Sequence, residues 1–424
     1  MVSPNSPSTD APDNRKTQPA RRGMIFVTAL GIIVVLTGLV LSFAQNMRTE
    51  VLASANRLAA LQADAIEQGA EQWVMGQVDL NASGGSSSTA STTGAAATPD
   101  SWTLVYNTPA EALQVGGGYF WLIRPDEDSD QQYDYGIIDE SSKLNLNATT
   151  FTSDVLLQLP TNITQDVADA VTDWNTAATK ASSDGAETDY YNGLQEPYDA
   201  KNQPYETVEE MLLVKGITPD VLYGYDLNRD GVVTDAERQA AQSSGLITSA
   251  TNDSRGIFRY LTVYSSGGKA LANAPGGAAP GGAATTTVGL VNVNTASENV
   301  LMALGLTQSQ ADSLITARAD SALADASSVS TALGGGVSNT IAAQMTTSSY
   351  QYSADIVAVS GDGRAFKRVR IVVDCTNTPC KIVYRRDLTS LGWPLDPQIR
   401  ASLRSGQGIQ PGTSSSGSSG SGSH

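Results

Sequence analysis

Histidine is almost absent from this chain of 424 residues, because its only histidine is the last residue, His424. This absence excludes catalytic triads, acid–base catalysis and metal sites that depend on an imidazole. Basic residues are also few: 26 Lys and Arg stand against 43 Asp and Glu, and the net charge of −17 opposes binding to nucleic acid unless a local basic patch exists. The sequence contains no such patch. Its two cysteines, Cys375 and Cys380, are too few for a cysteine zinc site but enough for one disulfide.

Charge is missing altogether between Met24 and Ala44. As a helix that rises about 1.5 Å per residue, this segment just crosses a hydrocarbon layer of about 30 Å, so we predict a membrane span at 24–44. Four basic residues precede it: Arg15, Lys16, Arg21 and Arg22. By the positive-inside rule, residues 1–23 then remain in the cytoplasm, and the bulk of the chain lies in the periplasm. Apolar residues at helical spacing extend the predicted helix to about residue 80.

An ordinary secretory signal, cleaved after Ala44, is the alternative interpretation of this segment. Ser42-Phe43-Ala44 has the small-x-small pattern that a signal peptidase accepts. The apolar run is longer than the usual signal core of about 7–15 residues, and the helical pattern continues beyond it. Both observations favour a retained anchor.

The polar leader that ends in Gly23, directly before the apolar helix, resembles that of type IV prepilins and pseudopilins. The resemblance implies that prepilin peptidase cuts between Gly23 and Met24, that the new terminus is methylated, and that the helix packs inside a filament. Most members of this class have Glu at the fifth mature position, where this chain has Thr28. Without that carboxylate, a subunit cannot neutralise the terminal ammonium of a preceding subunit in lipid, which fits a position at the filament tip.

The remaining sequence alternates between strand-like and helical segments. Five segments rich in β-branched and aromatic residues are predicted strands: 118–124, 136–139, 256–264, 352–360 and 368–384. Three stretches have the layout of helical hairpins, in which Thr164, Thr218 and Thr307 are predicted to begin the second helix. Thr295 and Glu298 have the spacing of a capping box at a further helix start.

Helical hairpins also occur in DNA-binding modules, which is a second interpretation of these stretches. The DNA-binding form commonly has a glycine-rich turn, whereas the turns at Gly216 and Gly305 each contain one glycine between bulky residues. The flanking residues are acidic or neutral, and phosphate contacts supply most nucleic-acid affinity. We therefore expect these hairpins to serve packing, and we expect no nucleic-acid partner.

A twelve-residue acidic segment from 226 to 237 fits the EF-hand calcium loop at every diagnostic position. The predicted Ca²⁺ ligands are the side chains of Asp226, Asn228, Asp230, Thr234 and Glu237 with the carbonyl of Val232, and Gly231 permits the sharp turn. The bland alternative is an exposed acidic loop between helices. Glu187, Asp189 and Glu196 are candidates for a second site, although their spacing fits no loop rule.

Cys375 and Cys380 enclose four residues between two strand-like runs. In an oxidising compartment they are predicted to form a disulfide at the end of a hairpin, whereas in the cytosol they would be two inert thiols. The predicted export of this region favours the disulfide.

Several motifs together resemble the minor pseudopilin K family of the type II secretion system. They are Gly23 with Thr28, DESSKLNLN from Asp139, Asp173-Trp174, Asp189-Tyr190-Tyr191, ETVEEMLLVKGITPDVLYG from Glu206, LTVY from Leu261 and VNVNTAS from Val291. The resemblance covers about residues 21–385. It implies an α+β fold in which a pseudopilin-type antiparallel sheet carries a large inserted all-α domain behind a long N-terminal helix. It also implies calcium binding in the insert, a complex with the minor pseudopilins I and J, contact with other pseudopilins, and a place at the pseudopilus tip.

The resulting prediction is a non-enzymatic inner-membrane protein that initiates and caps a short periplasmic filament for export of folded proteins. The predicted segments are a leader at 1–23, a helix at 24–80, a linker at 81–101, the first part of the β domain at 102–140, the helical insert at 141–255, a strand at 256–264, a Gly/Ala/Pro-rich insertion at 265–287, a hairpin region at 288–345, C-terminal strands at 350–386, and a tail at 387–424 that is disordered from about 406. Two other functions remain open at this point: a membrane-anchored component of DNA uptake, and a secreted hydrolase that uses paired carboxylates.

Overall fold

A computed structural model describes residues 21–84, 99–127, 130, 132–161, 163–177, 181–243, 254–268, 270–271, 288–334 and 338–409. The chain divides into two compact units, residues 1–58 and residues 59–424. The predicted leader up to residue 20, most of the predicted linker and of the Gly/Ala/Pro-rich insertion, and the tail beyond residue 409 lie outside the described residues.

Helix α1, Arg21–Ala82, begins in the first unit. Its residues from Met24 to Gln45 carry no charge, and no proline interrupts the helix, so backbone hydrogen bonding continues without a break. Within the first unit its apolar side chains are exposed, from Met24 at 70% to Leu58 at 70%. The first unit is therefore a helix whose apolar surface is not covered by the described residues of that unit.

In the second unit, α1 buries one stripe of side chains. Ile66, Ala70, Val74 and Val78 are each at most 2% exposed. Their four-residue spacing places them on one helical face, which packs against an antiparallel sheet. This packing fixes the C-terminal part of α1 to the sheet.

The sheet has the strand order β1-β2-β9-β10-β11, with β3 on β2 and β4 on β9. Its strands are β1 Leu113–Val115, β2 Gly118–Pro125, β3 Tyr133–Tyr135, β4 Ile138–Asp139, β9 Gln351–Val359, β10 Phe366–Asp374 and β11 Lys381–Asp387. All nine residues of β9 are buried, because α1 covers one face of the sheet and the C-terminal segment covers part of the other. The strands predicted at 118–124, 352–360 and 368–384 match β2, β9 and the β10–β11 hairpin.

A large helical insert lies between β4 and β9 in the chain. Its helices are α3 Ser153–Leu157, α4 Gln165–Asn175, α5 Thr188–Asn192, α6 Pro219–Tyr223, α7 Asp235–Ser243, α8 Glu298–Ala303, α9 Gln308–Arg318, α10 Ala326–Ala332 and α11 Asn339–Ala342. Short parallel pairs join β5 Leu144–Asn145 to β6 Leu261–Thr262, and β7 Val291–Asn292 to β8 Met345–Thr346. One apolar core that includes Trp174, Tyr191 and Met211 holds the insert together. The predicted α+β architecture, with its long apolar helix, antiparallel sheet and helical insert, is confirmed.

The structure corrects two details of the prediction. The segment predicted as a strand at 256–264 contains a 3₁₀ turn, Phe258–Tyr260, and only β6 is an extended strand. The chain turns at Gly256, which has a φ of 66° and packs closely against the backbone of Leu222. Helix α8 begins at Glu298 behind Ser297, so Thr295 does not cap it.

Two further helices flank the sheet in the chain. After the sheet, the chain forms helix α12, Pro397–Arg404, and the first predicted β segment begins with helix α2, Ser101–Asn107. Asp396 caps α12 by accepting a hydrogen bond from the amide of Gln398. Ile399 and Leu403 on this helix pack against the sheet, so burial of an amphipathic face holds it in place.

Candidate functional site

Three buried carboxylates join the helical insert to the sheet. The first is Asp139 on β4, which is 1% exposed. It accepts hydrogen bonds from Asn292 Nδ2 at 2.8 Å and Thr295 Oγ1 at 2.6 Å. Burial raises the pKa of Asp139, although its hydrogen-bond donors oppose the shift. Two of the sequence motifs, one from Asp139 and one from Val291, therefore meet at this carboxylate, and Thr295 serves it rather than a helix cap.

Glu140 is the second buried carboxylate. Its side chain accepts hydrogen bonds from Lys143 Nζ at 2.7 Å, from Ser353 Oγ on β9 at 2.5 Å and from Thr262 on β6. Burial alone would raise the pKa of Glu140, but the Lys143 ammonium and the hydroxyl donors bring it below its ordinary value. The charged carboxylate thus connects the insert to the central strand of the sheet.

Asp355 on β9 is the third buried carboxylate, and it accepts hydrogen bonds from two guanidinium groups. Arg368 on β10 donates from Nε at 3.0 Å and from Nη2 at 2.8 Å, and Arg370 donates from Nη2 at 2.8 Å. Burial would raise the pKa of Asp355, but the two cations lower it. Arg368 itself is fully buried, with a side-chain exposure of 0%. Sequence reasoning missed this cluster, since alternating basic residues on a strand look like a solvated face.

A cavity of about 680 Å³ lies between the sheet and the insert, and these three carboxylates contribute to its lining. Cationic side chains of Arg124, Lys143 and Arg370 line it as well. Each of the three carboxylates accepts hydrogen bonds from donors within the protein, so removal of a donor would leave a buried carboxylate without its partner.

The predicted calcium loop forms a tight turn between α6 and α7. Asp226 accepts hydrogen bonds from the amides of Asp230 at 3.0 Å and Gly231 at 2.8 Å, and Asp230 accepts from the amide of Val232 at 2.8 Å. Gly231 has a φ of 90°, and a side chain there would come within 2.9 Å of Pro125. Glycine is therefore required at this position for both conformation and space.

Asp226 and Asp230 bring two buried carboxylates together in this loop. Their residues are 7% and 6% exposed. Burial raises the pKa of Asp226, and burial together with the negative charge of Asp226 raises that of Asp230. Asn228 lies beside them, since its Oδ1 accepts a hydrogen bond from the amide of Asp230 at 2.9 Å. These are the hard oxygen donors that Ca²⁺ prefers, and a divalent cation would offset the repulsion, so the residues fit the predicted ion.

The last two predicted ligand side chains, Thr234 and Glu237, form a hydrogen bond with each other. Glu237 Oε2 accepts hydrogen bonds from the amide and the hydroxyl of Thr234, each at 3.0 Å, which caps the start of α7. Among the described residues, no three His, Cys, Asp or Glu side chains converge as a metal site. In the other candidate group, Glu187 is buried whereas Asp189 and Glu196 are exposed. Calcium ligation therefore remains a prediction.

The predicted N-caps of the hairpins occupy their expected positions. Thr164, Thr218 and Thr307 each lie immediately before the second helix. Only Thr307 forms the full capping box, with Gln310. In the hairpin around Gly216, the first arm is a 3₁₀ helix, Val208–Leu213, rather than an α-helix.

Two further predicted features lie outside the insert. Within the described residues, one helix, α1, is long and apolar enough to cross a membrane by length and composition. Within α1, the hydroxyl of Thr28 donates a hydrogen bond to the carbonyl of Met24 at 3.0 Å. Cys375 and Cys380 form a disulfide at the β10–β11 turn, with their Cα atoms 4.4 Å apart.

Two segments of the chain match models of one protein family, described as protein K of the type II secretion system. The matched residues are 152–224 and 291–348, which lie in the two parts of the helical insert. Comparison with curated protein sequences finds no match. Among solved structures, a chain of the crystal structure of the GspK-GspI-GspJ complex from the enterotoxigenic Escherichia coli type 2 secretion system is similar, with a TM-score of 0.45 and 12% identity over 77% of this chain and 96% of that chain.

Proposed function

The chain belongs to the type II secretion system protein K family, and from that premise we propose that it is the minor pseudopilin at the tip of the periplasmic pseudopilus. Family membership also identifies a structural protein rather than an enzyme, as the sequence predicts. In the proposed function, prepilin peptidase removes the leader after Gly23, and the segment at 24–44 holds the protein in the inner membrane before assembly.

The observation that carries this proposal is the uncovered apolar surface of α1 in the first unit. Large side chains such as Phe26 and Leu39, at 71% and 62% exposure, have no apolar cover within that unit. In water such a surface is unfavourable by about 25 cal/mol for each square ångström, so lipid or the helices of other pseudopilins complete it.

Thr28 supports the tip as the position of this subunit. Its hydroxyl is satisfied by carbonyls of its own helix, at 3.0 Å from Met24 and 2.9 Å from Ile25, and it brings no charge into the membrane. A subunit with this residue offers nothing to neutralise the ammonium of an earlier subunit, which is no disadvantage for the subunit that starts the filament. The minor pseudopilins I and J, which give the similar crystal structure its title, are the proposed neighbours below it.

The tip position is tested by labelling the protein in isolated pseudopili. We expect gold-coupled antibody at one end of each filament, and co-purification of the minor pseudopilins I and J with this protein. Label spaced along the shaft would contradict the tip position, and recovery of the protein without I and J would contradict the proposed complex.

Calcium in the loop at 226–237 is the second part of the proposal. Asp226, Asn228 and Asp230 with the carbonyl of Val232 would hold the ion, together with Thr234 and Glu237. When bound, the ion supplies positive charge between two buried carboxylates and so stabilises the insert; it takes part in no reaction. Extracellular sites of this kind have dissociation constants of about 10⁻⁴–10⁻³ M, which suits a site that remains filled in the periplasm.

Thermal unfolding with calcium and with chelator tests this site. At a free calcium concentration of about 100 times the dissociation constant, we expect stabilisation of about 2.7 kcal/mol. Asp230→Asn is expected to lose most of this gain. Asp235→Asn is the matched control, because Asp235 lies in the same loop but is exposed and is not a predicted ligand. An unchanged midpoint in the wild-type protein would count against the site.

A further inference from the structure

The calcium loop is attached to the sheet by a buried side chain that lies outside the loop. Arg368 on β10 donates from Nη1 to the carbonyl of Asn228 at 2.7 Å, and from Nη2 to the carbonyl of Arg229. The same guanidinium is held by two hydrogen bonds to Asp355 on β9. Two strands of the sheet thus fix two consecutive peptide groups of the loop.

Those peptide groups lie between the side chains that are proposed to bind the ion. Asn228 and Asp230 flank Arg229, whose φ of 58° is uncommon for a residue with a side chain. Holding the carbonyls of Asn228 and Arg229 on the side of the sheet limits rotation of both peptide planes. The guanidinium, with its fixed fork of donors, therefore restrains the backbone that orients the ligand side chains.

A second contact holds the C-terminal half of the loop. The amide of Val233 donates to the carbonyl of Asp130, in the β2–β3 connection, at 2.6 Å. The carboxylate of Asp130 accepts a hydrogen bond from Arg238 on α7 at 3.2 Å. The loop is consequently held at Asn228 and Arg229 by a side chain of β10, and at Val233 by the β2–β3 connection.

We propose that Arg368 is a positioning residue for the calcium loop at 226–237. Through Arg368, a cation bound in this loop stiffens the joint between the helical insert and strands β9 and β10. This inference rests on the calcium site proposed above. The charge of Arg368 alone would repel a divalent cation, whereas its hold on the two carbonyls favours binding. The two effects have opposite signs, so the sign of the change on substitution decides between them.

Calcium binding to the full mature chain in detergent, measured by titration calorimetry, provides the test. Arg368→Gln is expected to weaken calcium binding at least tenfold. Arg368→Lys retains the charge but lacks the fork, and is expected to weaken binding by a similar factor. Arg370→Gln is the matched control, since Arg370 also pairs with Asp355 at 2.8 Å but, among the described residues, donates no hydrogen bond to the loop backbone; it is expected to change binding less than threefold.

Hydrogen exchange of the same proteins supplies a readout that simple destabilisation would not reproduce. In the wild-type protein and in Arg370→Gln, calcium is expected to slow amide exchange in β10 as well as in the loop. In the Arg368 variants, the calcium-dependent protection of β10 is expected to disappear.

The possible outcomes separate this inference from the proposal on which it rests. If the wild-type protein binds no calcium, both are overturned. If the wild-type protein binds calcium and Arg368→Lys binds it equally well or more tightly, the site stands and the positioning role is wrong. Should Arg368→Gln fail to fold, the comparison of Arg368→Lys with the wild-type protein still decides the question.

Discussion

Between Met24 and Leu58, helix α1 leaves its apolar side chains uncovered, whereas between Ala59 and Ala82 the same helix buries a stripe of them under a sheet. In the proposed function, lipid or neighbouring helices cover the first part, whereas the second part is covered by its own chain. Substitutions in the first part should therefore alter assembly with little effect on folding, and substitutions in the second should alter folding. The following predictions test this division.

Gly23→Leu is expected to have the largest effect, because it removes the glycine at the proposed cleavage site and should leave a basic segment on the helix. Intact-mass analysis of membrane-extracted protein should then show the full precursor, whereas the wild-type protein should begin at Met24. Gly31→Ala is the control within the apolar run, since a Cβ there meets nothing within 4 Å; its processing should be normal. A wild-type chain that begins at Gln45 would instead support a cleaved signal and remove the first part of the helix from the mature protein.

Ile66→Ala and Leu58→Ala compare the two parts of α1 directly. Ile66 is 2% exposed in the core under the sheet, and Leu58 is 70% exposed. We expect Ile66→Ala to lower the free energy of unfolding by about 2–5 kcal/mol. We expect Leu58→Ala to change it by about 0.5 kcal/mol or less. Equal losses in denaturant titrations of the two variants would contradict the division at this point of the helix.

The disulfide lies at the end of the sheet that contacts the buried part of α1. The amide of Cys380 donates to the carboxylate of Asp79 at 3.2 Å, close to the end of the helix. Replacing both Cys375 and Cys380 by Ala should cost roughly 2 kcal/mol, as expected for a short closed loop. Reduction of the wild-type protein should lower the unfolding midpoint by a similar amount, and no change on reduction would mean that the crosslink contributes nothing.

The sequence revealed the features that depend on local pattern. The charge-free segment, the helical hairpins, the long strands and the spacing of Asp226, Asn228 and Asp230 are all periodic or contiguous signals. The joint between insert and sheet was not predictable in this way. Asp355 and Arg368 are 13 residues apart, but Arg368 reaches the carbonyl of Asn228, 140 residues away in the chain.

Local pattern also failed where distant contacts compete with it. Thr295 has the spacing of a helix cap, yet its hydroxyl donates to the buried carboxylate of Asp139, which lies 156 residues away. A buried carboxylate left without a donor carries its full desolvation penalty, so the hydroxyl of Thr295 is drawn to Asp139. The helix after Asp396, in contrast, had a local signal, an aspartate followed by proline, that would have predicted its start.

Glu67→Gln is expected to have the smallest effect on stability, and it tests the charged contact in the buried part of α1. Glu67 is 1% exposed and accepts a hydrogen bond from Arg385 on β11 at 2.8 Å. Burial, together with the neighbouring Glu71, raises the pKa of Glu67 from 4.5 to about 7. The folded protein therefore holds an extra proton between these values, and the stability that this proton contributes is present below pH 4.5 and is lost as the pH rises through 7.

A glutamine at this position does not titrate, so the unfolding free energy of Glu67→Gln should fall less between pH 5 and pH 8 than that of the wild-type protein, by about 1 kcal/mol or less after solvent screening of Arg385. Glu50→Gln, an exposed substitution in the first part of the helix, is the control for the loss of one carboxylate from α1. If Glu67→Gln had the pH profile of the wild-type protein, the carboxyl of Glu67 would have an ordinary pKa in the folded protein. The ion pair between Glu67 and Arg385 would then persist between pH 5 and pH 8, and its contribution to the attachment of α1 to β11 would not change with pH in this range.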